Sequence, residues 1–157
     1  MNLDAGYLYV ASGAQYIDEA LTSAQSVRST DKNAHTTLIT YESFQSSLFD
    51  AIRVREGSVT DWYSGLDFRT AHVFDASPYS KTLFLDADTY VYESCQPIFY
   101  LLDFFDVCVA ASAVDVTNAR VGQRVLHACV PYNMGVVAFR TNAATDELFH
   151  AWSNRYR

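Results

Sequence analysis

The stretch KTLFLDADTYVYE, residues 81–93, decides how this chain is read. Leu83, Phe84 and Leu85 form a short, continuous apolar run, the pattern of a strand covered on both faces. The run stops at Asp86, Ala87 and Asp88. In extended backbone, residues i and i+2 project to the same side, so both carboxylates are predicted to face one point. Two carboxylates at close range repel, and one takes up a proton unless a cation lies between them. A hard divalent ion, Mg²⁺ or Mn²⁺, prefers such oxygen ligands. It would also let an acidic protein hold a diphosphate. A chain of this composition contains roughly one D-x-D by chance. The pair therefore draws its weight from position: an apolar strand before it and Thr89, Tyr90, Val91 and Tyr92 after it.

Working outward, GYLYVAS (6–12) reads as a first strand closed by a turn at Ser12-Gly13. A helix is predicted over about 15–29, because Ile17, Ala20, Leu21, Ala24 and Val27 recur at helical spacing. Residues 30–35 are polar and read as a loop, and TTLITY (36–41) as a second strand. Region 42–63 has no clear pattern. A helix over about 64–76 would carry Leu66, Arg69, Thr70, Val73 and Phe74 and stop at Ser77-Pro78. After Pro97, IFYLLDF predicts a short helix, and DVCVAAS (106–112) a further buried strand. Residues 113–132 read as a long loop, of a length that is often functional. GVVAF (135–139) is another strand, and Asn142 caps a last helix carrying Leu148, Phe149 and Trp152. No repeat or linker divides the chain, so residues 1–157 form one domain. Strands alternating with helices predict an α/β fold with a mostly parallel sheet flanked by helices. In such sheets ligands bind beyond the carboxyl ends of the strands.

Composition narrows the function. Hydrophobic residues make up 50% and charged residues 18% of the chain, which excludes disorder. The formal net charge of −7 repels phosphate backbones and excludes general nucleic-acid binding. No apolar stretch approaches the ~18 residues of a membrane span. The start, MNLDAGYLYV, lacks a basic segment and a long apolar segment, so no signal peptide is expected. Cys95, Cys108 and Cys129 form no CxxC pair and cannot all pair within one chain. They are expected to be reduced, buried small hydrophobes, which predicts a cytoplasmic protein.

With these residues in view, a resemblance emerges. SPYSKTLFLDADTYVYESCQPIFYLLDFFDVCVA (77–110) resembles the D-x-D region of GT-A glycosyltransferases, nearest in pattern to family-8-like nucleotide-diphospho-sugar transferases. GYLYVASGAQYIDEALTSAQSVR resembles their first, nucleotide-holding strand and helix, and TTLITY their second strand. FRTAHVFDASPY resembles the Arg-bearing helix ahead of the D-x-D strand, and PYNMGVVAFRTN the N-x-G-V strand after the acceptor-side loop. The resemblance spans nearly the whole chain and rests on the order and spacing of these pieces. It implies a Rossmann-like GT-A fold and a metal-dependent transfer of sugar from a nucleoside-diphosphate sugar, UDP-linked, to an acceptor hydroxyl. It further implies that Ala11, Ser12 and Gly13 form the turn under the nucleoside, with Tyr16 packed on or near the base. Arg69 would point at the diphosphate or the D-x-D. Asp86, next to Ala87, would contact ribose and metal, and Asp88 would chelate the metal. Asn133, Met134 and Gly135 would line the sugar and acceptor side. Neither the sugar nor the acceptor is identified.

Family-8-like enzymes add a further metal ligand, commonly a His, beyond the N-x-G strand, a downstream Asp-Gln element and a closing C-terminal segment. These have no counterpart before Arg157, so the resemblance implies a domain without its C-terminal part. An inverting enzyme needs a carboxylate base, for which Asp115 in the long loop is a weak candidate; a retaining nucleophile has no candidate. His127 and His150 are further, weaker metal-ligand candidates.

Three alternatives use the same residues. FLDADTYV fits the first motif of haloacid-dehalogenase-type phosphatases, with Asp86 as nucleophile and Asp88 as acid/base. That motif normally opens its domain, whereas a complete β-α-β run precedes it here. A nucleotidyltransferase would share the fold and the metal, but needs a Gly-rich, basic loop where ASGAQY stands. A non-catalytic fragment that binds a nucleotide sugar, or pairs with itself or another chain, would expose apolar surface.

Overall fold

Val10, Ile39 and Phe84 lie on one face of the sheet, and Tyr9, Leu38 and Leu83 on the other. This alternation along each strand explains the continuous apolar runs: both faces are covered. In the computed structural model, residues 3–60, 73, 76–111 and 132–156 are described. They form strand β1 (Leu3–Val10), helix α1 (Ala14–Thr30), β2 (Thr36–Thr40), β3 (Ala51–Val54) and β4 (Tyr79–Leu85). Helix α2 (Gln96–Leu101), β5 (Val107–Ala111), β6 (Tyr132–Arg140) and helix α3 (Ala143–Tyr156) follow.

The six strands make one sheet in the order β3-β2-β1-β4-β6-β5. Strands β3, β2, β1 and β4 run parallel, whereas β6 is antiparallel to both β4 and β5. The architecture is thus the expected α/β one, with a mixed rather than uniformly parallel sheet. One core cluster joins Tyr7, Tyr9, Leu38, Leu83 and Leu85 to Ala20, Ala24 and Val27 of α1 and Phe99 of α2. The second joins Leu8, Val10, Ile39, Phe84, Val137 and Phe139 to Phe149 of α3. Phe139 and Phe149 meet edge to face at 5.2 Å. Each fully buried Leu or Phe contributes about 1.5–3 kcal/mol.

Several expectations change. Residues 106–112 are not a doubly buried strand. Among the described residues β5 lies at the sheet edge with β6 as its one neighbour, and Val109 is 36% exposed. Cys95 and Cys108 are half-buried rather than enclosed; Cys129 lies outside the described residues. The unpatterned 42–63 region contains β3, which is short and only partly buried and so carries little periodicity. Strand β6 begins at Tyr132, three residues before the apolar run. The predicted helix over 64–76 lies outside the described residues apart from Val73 and Ala76, and so does nearly all of the 113–132 loop.

Gly6 shows how closely β1 and β4 meet. A Cβ there would lie 2.2 Å from the Tyr79 ring. Tyr79 is fully buried, shares hydrogen bonds with Thr37 Oγ1 (2.7 Å) and His35 Nδ1 (2.8 Å), and burial pushes its phenol up to about 12.

The strand order reverses between β1 and β4. From β1 the chain builds outward through β2 and β3, and from β4 it builds the other way. Such a switch point opens a crevice at the carboxyl ends of the two strands. Ala11–Gly13 leave one of those ends and Asp86 the other.

Candidate functional site

Strand β4 stops at Leu85, and the next four residues form a turn. Thr89 closes it: its backbone N–H donates to the Asp86 carbonyl at 3.1 Å and its hydroxyl donates to the same oxygen at 2.8 Å. The D-x-D is therefore in a turn and not in extended backbone, and the alternation argument for its two carboxylates does not apply. Asp86 is half-buried and Asp88 is exposed. Ala87 packs against the first core cluster, which anchors the turn to the sheet.

Strand β6 brings the N-M-G segment to this turn. The Asp86 N–H donates to the Gly135 carbonyl at 2.7 Å. Asn133 Oδ1 accepts from the Gly135 N–H at 2.8 Å. A Cβ on Gly135 would stand 2.6 Å from Asp86 Oδ2 and 3.0 Å from Asn133 Oδ1. Asp86, Asn133 and Gly135 thus converge, and any side chain at 135 would press on the carboxylate that lies against the strand. Met134 departs from the expected site lining, because its side chain packs against the second core cluster.

At the end of β1, Ala11 donates to the Ile39 carbonyl at 3.0 Å, and Gly13, with φ of 95°, turns the chain into α1. This positive φ favours glycine. Tyr16, 51% exposed, stands in the first turn of α1 with its ring beside Gly13. Glu42, which no sequence argument singled out, ties the region together. It accepts from Ser12 Oγ at 2.5 Å, Thr40 Oγ1 at 2.7 Å and the Gly13 N–H at 2.7 Å. Ser12 Oγ in turn accepts from the Tyr41 N–H at 3.1 Å. Burial alone would raise the Glu42 carboxyl, but the hydrogen bonds from Ser12, Thr40 and Gly13 outweigh it and hold the group below its ordinary value. Its position just past TTLITY, at a strand's carboxyl end, was the signal available in the sequence.

The donor set suits a divalent metal. Mg²⁺ and Mn²⁺ sites of this kind use one or two carboxylates and complete their shell with water and substrate phosphates. Asp86 and Asp88, two carboxylates in one turn, meet that requirement. Among the described residues no group of three or more His, Cys, Asp or Glu gathers to hold a metal. Arg69, Asp115 and His127 lie outside the described residues. His150 lies on α3.

No protein-family model matches the sequence, and no curated protein matches it. Solved structures do match. The glycosyltransferase GlyE of Streptococcus pneumoniae TIGR4 superposes with a TM-score of 0.60 at 18% identity, over 96% of this chain and 38% of GlyE. The bifunctional glycosyltransferase WbbM gives 0.65 at 14% identity, over 98% of this chain and 34% of WbbM. The galactosyltransferase LgtC, solved with donor and acceptor sugar analogs, gives 0.55 at 14% identity, over 97% of this chain and 66% of LgtC. A 4-diphosphocytidyl-2C-methyl-D-erythritol synthase from Anaerococcus prevotii shares the fold at 0.50 and 15% identity, over 99% of this chain and 77% of the synthase. The chain thus has the α/β fold of GT-A glycosyltransferases and spans just over a third of GlyE and WbbM. No described helix is long and apolar enough to cross a membrane.

Proposed function

We propose that this chain is the donor-binding domain of a metal-dependent glycosyltransferase that takes a UDP-sugar. One observation carries the proposal: the Asp86–Asp88 turn leaves the carboxyl end of β4 beside the end of β1, at the switch point of a GT-A-type sheet. Asp86 and Asp88 would hold Mn²⁺ or Mg²⁺. When bound, that ion would neutralise the diphosphate and so stabilise it as a leaving group. The Ala11–Gly13 turn forms the floor under the nucleoside, and the exposed Tyr16 ring offers a face to the base. Asn133 and Gly135 set the position of Asp86 from the sugar side, and Arg69 is the residue proposed to meet the diphosphate. The acceptor hydroxyl oxygen bonds to the anomeric carbon as the bond from that carbon to the diphosphate oxygen breaks. The electron pair leaves with the diphosphate, and the hydroxyl proton passes to a base, for which Asp115 is the candidate.

The test is calorimetric titration of UDP, GDP and CDP with Mn²⁺ and again with EDTA. UDP binding that requires Mn²⁺ is the expected result; no metal-dependent binding by folded protein overturns the proposal. Turnover of UDP-sugars would then separate an enzyme from a binding fragment. A second reading, nucleotidyl transfer, is favoured by the likeness to the synthase. Against it, the β1–α1 turn carries one Gly and no Lys or Arg, and Glu42 already holds its Gly13 amide. Pyrophosphate release from CTP or UTP would favour it over sugar transfer.

A further inference from the structure

The hydroxyl of Thr89 opens a line of hydrogen bonds from the D-x-D turn into the core. Its proton is committed to the Asp86 carbonyl at 2.8 Å. In the 2.8 Å bond between Thr89 Oγ1 and Ser23 Oγ, Ser23 must therefore donate. Having donated, Ser23 must accept in its 3.0 Å bond to the Tyr9 hydroxyl, and Tyr9 donates. The polarity is thus fixed from Tyr9 through Ser23 and Thr89 to Asp86. Tyr9 and Ser23 are both fully buried, and burial raises the Tyr9 phenol, so it keeps the proton it donates. One helical turn on, Ser26 Oγ donates to the Ser23 carbonyl at 2.6 Å and accepts from the Val91 N–H at 2.9 Å. Helix α1 therefore grips the residues after the turn at two points.

We propose that Tyr9, Ser23 and Thr89 are positioning residues that fix the Asp86–Asp88 turn for its metal–diphosphate ligand. The inference rests on the metal-site proposal above. Water could satisfy the Asp86 carbonyl if the relay were cut, so the relay's role is to remove freedom from the turn. Unidirectional chains of hydroxyls also polarise one another, which stiffens them further.

The test compares Thr89→Val, Thr89→Ser and Tyr9→Phe with the unaltered protein. Each is titrated with UDP in Mn²⁺ by calorimetry, and thermal unfolding is followed in parallel. Thr89→Val keeps the shape and removes the hydroxyl, and is expected to weaken Mn²⁺-dependent UDP binding about tenfold. Thr89→Ser restores the donor and is expected to bind within about twofold of the original. Tyr9→Phe removes only the far end of the relay, a fully buried hydroxyl separated from Asp86 by Ser23 and Thr89, and is expected to weaken binding about threefold. If Thr89→Val does not fold, Tyr9→Phe decides. Unchanged affinity in the folded variants overturns the relay while leaving the metal site standing. Absence of metal-dependent UDP binding in the unaltered protein overturns both.

Discussion

Gly135→Ala isolates the geometry of the proposed metal site. The new Cβ would stand 2.6 Å from Asp86 Oδ2, where ordinary contacts begin at 3.4 Å. The carboxylate must retreat by roughly 0.8 Å, since such overlap is steeply repulsive. Oδ2 ends a short side chain, so yielding costs little stability, and we expect a loss below about 1 kcal/mol. Gly135 is not among the glycines with positive φ, so no backbone strain is added. Function is expected to suffer more, because displacements near 1 Å typically cost up to ~100-fold where a constellation must be precise. We expect Mn²⁺-dependent UDP binding to weaken about 10- to 100-fold by calorimetry. Gly6→Ala is the control. Its Cβ would meet three Tyr79 ring atoms at 2.2–2.7 Å. That ring is fully buried, hydrogen-bonded and unable to retreat cheaply. Overpacking should cost about 1–3 kcal/mol or more, seen as a lower melting temperature with affinity unchanged in the folded protein. Full affinity in folded Gly135→Ala would refute the placement of the ligand at Asp86.

Asp88→Ala should abolish metal-dependent UDP binding while leaving thermal unfolding nearly unchanged, because Asp88 is exposed. Gly13→Ala should lower stability by about 1–3 kcal/mol in chemical denaturation, since φ of 95° and ψ of 140° suit glycine alone. Acid titration should show stability falling as pH drops below about 4.5. Glu42 and Asp50 have folded values below their ordinary 4.5 and 3.8, so the unfolded chain takes up their protons first. For Asp50 burial opposes the shift, and hydrogen bonds from Thr36 and Arg28 outweigh it. Glu42→Gln and Asp50→Asn should each flatten that acid slope.

Much of this architecture was legible because its strands carry a strong signal. Strands β1, β2 and β4 are buried on both faces along their apolar runs, and each could be found; β2 was read to within a residue, whereas β1 spans Leu3–Val10 rather than 6–12 and β4 begins at Tyr79, before its apolar run. Edge elements were harder to read. Strand β5 has the composition of a buried strand, yet Val109 is exposed because position in the sheet, not composition, sets coverage. Likewise, nothing local to GVVAF distinguishes an antiparallel neighbour from a parallel one. At the site, the sequence singled out the D-x-D, Asn133 and Gly135, but not the convergence of Asp86 with Asn133 and Gly135, which depends on the pairing of β4 with β6. The alternation argument for Asp86 and Asp88 failed at the strand boundary. Thr89 ends the extended run by bonding back to Asp86, as Thr side chains do at turns.

Glu42 bears on the chemistry as well as on the turn. The N-terminus of a helix attracts anions through its free amides and its dipole. In α1 the Gly13 amide is already bonded to the Glu42 carboxylate at 2.7 Å. A phosphate arriving there would displace a charged, well-bonded side chain or face it at close range, and either is costly. The rest of the chain does not help, since its net charge is −7. A diphosphate in this crevice must therefore find positive charge elsewhere. Glu42, just past β2, disfavours it at the Gly13 amide, while Asp86 and Asp88 after β4 would, on the proposed reading, offer a place for a cation. On the proposed reading, a metal held at Asp86 and Asp88, and not α1, would carry the phosphates.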